Sequence, residues 1–359
     1  MTPQKAQTIV ALRLLGRLLS VRRLLSAIAC LAFALTSTST GAADATLDEL
    51  LKSGVEAQLQ GDFDRSSEIA LQIKRAFPTN AIGHAFEMNS LVTQLSWDAE
   101  DTQFDESLEA EATQTLKLCK QQIKNEPDVA TGYYLCGQAH FALTFLYAAR
   151  GSYYSAGRNS SQTIKQLENA LKRDPGLSDA KMHLGATYYY ADNLPSFVKA
   201  ISRFLWFIPS GNSDKALPYM REAANDGEYL GDAAKFIFAD LVMSSEPTLI
   251  DEAGEYLMNL VTRYPSNRRF QLKRMQYLAQ TKQYPELLDA VNSYTGPEHC
   301  CPVEPIDASI ARLWRVRANL ALQDRTAAQQ EFDAVGVVDF PSWGNGWHEE
   351  IKQMLATAQ

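Results

Sequence analysis

The feature that most constrains this chain is a stop followed by a start. The segment ALKRDPGLSD places Ala170 five residues before Pro175, and AKMHLGATYYY then brings Leu184, Gly185 and, three residues after the glycine, Tyr188. A proline cannot continue a helix, so Pro175 closes one helical segment and lets the next begin. Within that next segment, Gly185 lets a neighbouring helix approach closely, and Leu184 and Tyr188 fill the seam on either side. The motif reappears 48 residues earlier: Pro127 precedes Tyr133, Cys136 and Gly137 as Pro175 precedes the later set. Ala253, Leu257, Leu260 and Pro265 repeat the ending, Ala328 and Phe332 repeat it near the C-terminus, and Pro78 closes a first unit that starts near Leu47. Alternating Val/Ile/Thr runs with Asn-Gly turns are absent, so the pattern leaves no room for strands.

These residues resemble the tetratricopeptide repeat, whose unit is a helix–turn–helix with an aromatic, Leu-Gly, Tyr, Ala, Phe, Ala, Pro pattern. The resemblance implies an all-α, right-handed α-solenoid of about seven helical hairpins. They fall at 46–77, 80–125, 129–174, 177–226, 230–264, 267–294 and 306–338, with an inserted amphipathic helix and a C-terminal capping helix from about 345. The 48- and 49-residue spacings exceed the 34 of the family, and several Gly and Tyr positions are substituted. The layout looks like that of secreted bacterial proteins with divergent repeats, which implies a scaffold and names no ligand.

The first 43 residues are set apart by charge. Lys5, Arg13, Arg17, Arg22 and Arg23 precede the apolar run LLSAIACLAFAL and the small-residue stretch TSTSTGAADA, with no acid before Asp44. That order is expected of a secretory signal peptide over 1–43, cleaved after Ala42 or Ala43. It leaves a periplasmic or secreted solenoid over 44–359; a mitochondrial presequence is the alternative. The whole chain carries −8, and losing five leader cations leaves −13. An acidic surface of that size excludes the phosphate-neutralising binding on which nucleic-acid partners depend.

The groove positions of a tetratricopeptide first helix, carried onto this sequence, fall on Tyr134, Gln138 and Phe141, then on Met182, Ala186, Tyr189 and Tyr190. Tyr134, Phe141, Met182, Tyr189 and Tyr190 are therefore the candidate contacts for a protein or peptide partner, on the expectation that these side chains are accessible. Aromatic area on a rigid helix suits such recognition. The Lys and Asn residues of chaperone-tail clamps are missing from these positions. The stretch LPSFVKAISRFLWFIPSGN at 194–212 sets Phe197, Ile201, Phe204 and Ile208 at helical spacing, with Trp206 broadening the apolar side. It reads as an inserted helix against the solenoid. Alternatively, 196–208 docks on a membrane surface or a partner through Phe197, Ile201, Phe204 and Trp206.

Cys119 and Cys136 stand equally far from the turn at 126–128, so antiparallel helices bring them level. They are a disulfide candidate, or two buried thiols at seam positions. Cys300 and Cys301 in GPEHCCPVE are a poor chelate, and a vicinal or intermolecular disulfide is favoured over a metal. The acidic run 98–111 lacks the oxygen-ligand periodicity of a calcium loop and reads as a solvated lead into a helix. No GxSxG elbow, nucleotide loop or HExxH pair occurs, and the five histidines are scattered. The expectation is a non-catalytic protein without cofactor or metal.

Overall fold

The computed structural model describes residues 46–193 and 212–357. The chain falls into two compact units, 1–49 and 50–359. Of the first, only Thr46–Glu49 are described, where Thr46 and Glu49 cap each other at a helix start. Every described helix belongs to the second unit, apart from the opening residues of the first one.

Among the described residues the chain is helical throughout, in seven pairs and a cap. The pairs are α1 (Leu47–Gln60) with α2 (Phe63–Ala76), α3 (Ile82–Leu95) with α4 (Asp105–Asn125), and α5 (Ala130–Ala149) with α6 (Tyr153–Arg173). Next come α7 (Ser178–Asp192) with α8 (Ser213–Asp226), and α9 (Gly231–Ser245) with α10 (Ile250–Arg263). The last two are α11 (Arg268–Gln280) with α12 (Tyr284–Thr295), and α13 (Pro305–Ala321) with α14 (Arg325–Asp333). The cap is α15 (Ser342–Thr357), which packs on α13 and α14.

One stop ends four of the second helices. Phe77, Glu126, Asp174 and Tyr264 each precede a proline and leave helical geometry at φ between −128° and −135°. A residue before proline is driven out of the helical region by the pyrrolidine ring. Its own N–H still reaches back to the carbonyl four residues earlier, at 2.8–2.9 Å in all four cases. A second shared device turns the first helix into the second. Gly61, Gly151, Lys282 and Gln323 have φ between +59° and +83°. The residue after each donates to the carbonyl five residues back, as Asp62 does to Ala57 and Gln283 to Leu278. This is a Schellman closure of the helix end. Glycine adopts that conformation without penalty; Lys282 and Gln323 hold it at some cost.

The glycines of the repeat motif sit where two helices meet. A Cβ on Gly185 would lie 2.7 Å from the carbonyl oxygen of Ala216 in α8, and one on Gly137 would run into the Leu167 side chain in α6. First helices pack on successive first helices, α3 on α5, α5 on α7, α7 on α9, α9 on α11 and α11 on α13. Second helices pack instead on the first helices of their own and the following hairpin. First helices thus form the inner layer and second helices the outer one, the arrangement of a curved solenoid. The core runs as a series of clusters along the array, the middle one burying Leu167, Leu184, Met220, Phe238 and Leu257 together.

The array also doubles back on itself. Asn267 Nδ2 donates to the Leu59 carbonyl at 2.8 Å and Ser266 Oγ to the Gln60 carbonyl at 2.9 Å. Leu59 packs against the cluster of Leu260, Val261, Tyr264 and Phe270. Arg269 caps the end of α3, donating to the Thr93 and Gln94 carbonyls and to Ser96 Oγ. Burial, with Arg268 beside it, lowers the Arg269 pKa to about 9, which leaves it cationic at neutral pH and matched to the negative end of that helix. Trp97 lies under both guanidinium groups, 4.5 Å from Arg268 and 5.2 Å from Arg269. From the cap, Trp343 donates its indole N–H to the Trp97 carbonyl at 2.8 Å, and Ser342 donates its N–H and hydroxyl to Asp98. Hairpins one and two are therefore tied to hairpins five and six and to the C-terminal cap.

Candidate binding face

The inner layer is richest in aromatic side chains at α5 and α7. On α5, Gln138 Nε2 donates to the Tyr134 hydroxyl at 2.8 Å, and burial pushes that hydroxyl well above the ordinary tyrosine pKa. Phe141 meets the edge of the His183 ring at 4.9 Å, and Tyr134 meets it at 6.4 Å. His183 is buried, and burial lowers its pKa to about 4, so the imidazole is neutral at physiological pH. Beside it, Asp179 accepts the backbone N–H groups of Tyr229 at 3.1 Å and Leu230 at 3.0 Å; burial raises its pKa in spite of them. Lys181, also buried, pairs with Glu222 of α8.

The structure corrects the expectation that five side chains line an open groove. Helix α7 is buried at every position from Ser178 to Tyr189, because α5, α6, α8 and α9 all pack on it. Met182 is enclosed by Ala223, Ala224 and Ala234. Tyr189 is 7% exposed and hydrogen-bonds through its hydroxyl to Ser245 Oγ at the end of α9, so it ties two hairpins together. Tyr190 is 48% exposed, with its ring edge on Tyr189 at 5.9 Å. Tyr134 and Phe141 are partly exposed. The accessible candidates reduce to Tyr134, Phe141 and Tyr190. Sequence spacing did not single out His183, which the fold places between the two α5 rings.

Phe197, Ile201, Phe204 and Trp206, the candidate membrane or partner helix, lie outside the described residues. Among the described residues no helix is long and apolar enough to cross a membrane. Cys119 on α4 and Cys136 on α5 form a disulfide with Cα atoms 5.6 Å apart. The bridge joins the second helix of one hairpin to the first helix of the next. Cys300 and Cys301 are free thiols. The acidic run is more fixed than a solvated loop: Arg150 holds it with a bidentate pair to Asp105 at 2.6 and 2.7 Å, and also donates to the Ala99 and Asp101 carbonyls. Arg150 is the missing cation that local sequence could not supply.

Histidines occupy separate settings among the described residues. His84 pairs with Glu111 at 2.7 Å, His140 with Asn159 at 2.8 Å, and His348 stacks on Phe332 at 5.1 Å. No group of three metal-ligating side chains forms among them. A cavity of about 430 Å³ opens where α1 faces residues 224–235 and 263–264. Lys52, Lys235 and Arg263 balance Glu56, Glu228 and Asp232 on its walls. Asp232 is held below the usual carboxylate range despite its burial, by bonds from Lys235 and the Tyr264 hydroxyl.

No family model matches the sequence, and no curated protein matches it. Among solved structures the chain is similar to a thermophilic TPR protein of Thermus thermophilus, with 15% identity and a TM-score of 0.39 over 64% of this chain and 97% of that one. It is also similar to a tetratricopeptide repeat protein from Parabacteroides merdae, with 13% identity and a TM-score of 0.35 over 87% and 98%. The hairpins share a proline stop, a Schellman turn and a glycine at the helix contact, each recurring along the array. By that geometry the described chain is a stacked array of helical hairpins.

Proposed function

We propose that the protein is an exported, non-catalytic scaffold that binds a protein or peptide through the first-helix layer, with Tyr134, Phe141 and Tyr190 as contacts. The observation that supports it most is the exposure of Tyr190 on α7, with the partly exposed Tyr134 and Phe141 on the adjacent first helix α5. Aromatic side chains on a rigid element bind at low entropic cost. Export is supported by the basic–apolar–small leader and by the disulfide between Cys119 and Cys136, since such bonds persist in oxidising compartments.

The test is crosslinking with mass spectrometry in the native cells, comparing wild type with Tyr190→Ala and with Tyr190→Ala/Phe141→Ala. A partner crosslinked to wild type and lost from Tyr190→Ala, at unchanged thermal stability, is the expected result. Tyr190 stands outside the buried core, which keeps folding and binding separable. Equal capture by all three proteins would remove this face from the binding site.

A further inference from the structure

The chain carries two cysteine pairs in opposite situations. Cys119 and Cys136 are buried, 0% and 1% exposed, and already joined. Cys300 and Cys301 lie in the connection between α12 and α13, the first exposed and the second partly so, and both are free. Their sulfurs are 3.0 Å apart, within reach of a thiol–thiol hydrogen bond. Cys300 presents the exposed sulfur, the Cys301 thiol stands directly behind it, and the contact between them raises the Cys300 pKa.

The loop that presents the pair is not loose. His299 Nδ1 lies 2.7 Å from the carbonyl oxygen and 3.3 Å from the backbone nitrogen of Cys301, and its ring meets Tyr294 edge-on at 5.0 Å. Tyr294 is buried and its hydroxyl faces Asp307 on α13 at 3.4 Å. The Nε2 of His299 is enclosed and makes no hydrogen bond among the described residues. Pro297 and Pro302 bracket the segment. One flank is therefore anchored to two helices while the sulfurs face outward.

We infer that Cys300–Cys301 is a reversible thiol–disulfide exchange site for low-molecular-weight disulfides. The thiolate of Cys300 attacks one sulfur of the small disulfide; that S–S bond breaks, a new bond joins Cys300 to half of the molecule, and the other half leaves as a thiolate. The Cys301 thiolate then attacks the Cys300 sulfur, the mixed disulfide breaks, and the second half leaves. Two protein thiols are oxidised to one vicinal disulfide, the small disulfide is reduced to two thiols, and the two protons pass to the leaving thiolates. A disulfide between adjacent residues closes a ring of eight atoms, and strained, exposed bonds of this kind are the readily reduced ones. The cycle therefore runs both ways at Cys300–Cys301, whereas the buried Cys119–Cys136 bond stays out of it.

The test uses the full mature protein, first treated with a mild reductant and confirmed by mass to keep Cys119–Cys136 joined. Glutathione disulfide is then added, free thiols are alkylated, and intact and peptide masses are read over time. Wild type is expected to lose both alkylations on the Cys300–Cys301 peptide with no glutathione retained. Cys301→Ser is expected to stop one step earlier, with one glutathione held on Cys300. Two results would overturn the inference: both cysteines remaining fully alkylatable after exposure, or wild type retaining glutathione to the same extent as Cys301→Ser. Circular dichroism on both proteins checks that the variant is folded; the loop lies outside the helices, so its helical signal should match wild type.

Discussion

The disulfide between Cys119 and Cys136 gives the most demanding prediction, because its cost and its location can both be worked out. It closes a loop of 17 residues, which in the chain-entropy account corresponds to about 3 kcal/mol at 25 °C. The bridge does not close a hairpin; it joins α4 to α5 across a hairpin boundary. In a stacked array, stability is a sum of unit terms and nearest-neighbour interface terms, and this bond belongs to one interface. Replacing both residues by alanine therefore removes about 3 kcal/mol from the coupling of hairpins two and three, plus a small cavity contribution from two buried sulfurs. Urea unfolding should show a lower midpoint. Hydrogen exchange should show protection lost over 105–149 and largely retained over 268–333. Two results would refute the reasoning: an unchanged midpoint, or an equal loss of protection in hairpins six and seven, which would mean the bond acts on the whole array.

Two further predictions rest on single residues. His183 has a folded pKa of about 4 against an ordinary 6.5, so between those values the unfolded chain binds the proton and the folded chain does not. Its contribution is complete above pH 6.5 and is lost as pH falls toward 4, about 3 kcal/mol at the limit. The raised pKa of Asp179 works in the opposite direction, so the measurement is the difference between wild type and His183→Phe across that range; parallel curves would contradict the assignment. At Gly185, alanine is the better helix former, yet its Cβ would press on the Ala216 carbonyl at 2.7 Å. Gly185→Ala is expected to destabilise by about 1–3 kcal/mol through overpacking, and a rise in Tm would show that the helices can separate without cost.

Much of the array was legible because its punctuation is local. Pro78, Pro127, Pro175 and Pro265 each forbid helix at the preceding residue, and the four second helices end there. Gly185 and Gly137 announced close contacts because a small residue beside Leu or Cys in an otherwise bulky segment has few other uses. The binding face was less legible. A groove position is defined by its register on one helix, while exposure depends on neighbours; four helices converge on α7, and Met182 and Tyr189 are consumed by them. The seam was not legible at all. Asn267, Arg269, Ser342 and Trp343 satisfy groups 173–246 residues away, and no periodicity in the sequence encodes such a distance.

That seam has a kinetic meaning. A linear stack of hairpins can begin folding at any unit and grow in either direction, since each new unit needs only its neighbour. Contacts of very long sequence separation instead wait until the chain between them is ordered. The clasp between Trp97–Asp98 and Arg268, Arg269, Ser342 and Trp343 can close only after the intervening hairpins have set the curvature that brings its halves together. A chain still lacking its last hairpins holds the left half of the clasp with nothing to fasten it to. In a variant that keeps only Trp97 and Trp343 of the five tryptophans, the fluorescence of that pair is expected to report the final step of assembly and to distinguish a finished molecule from one that is merely helical.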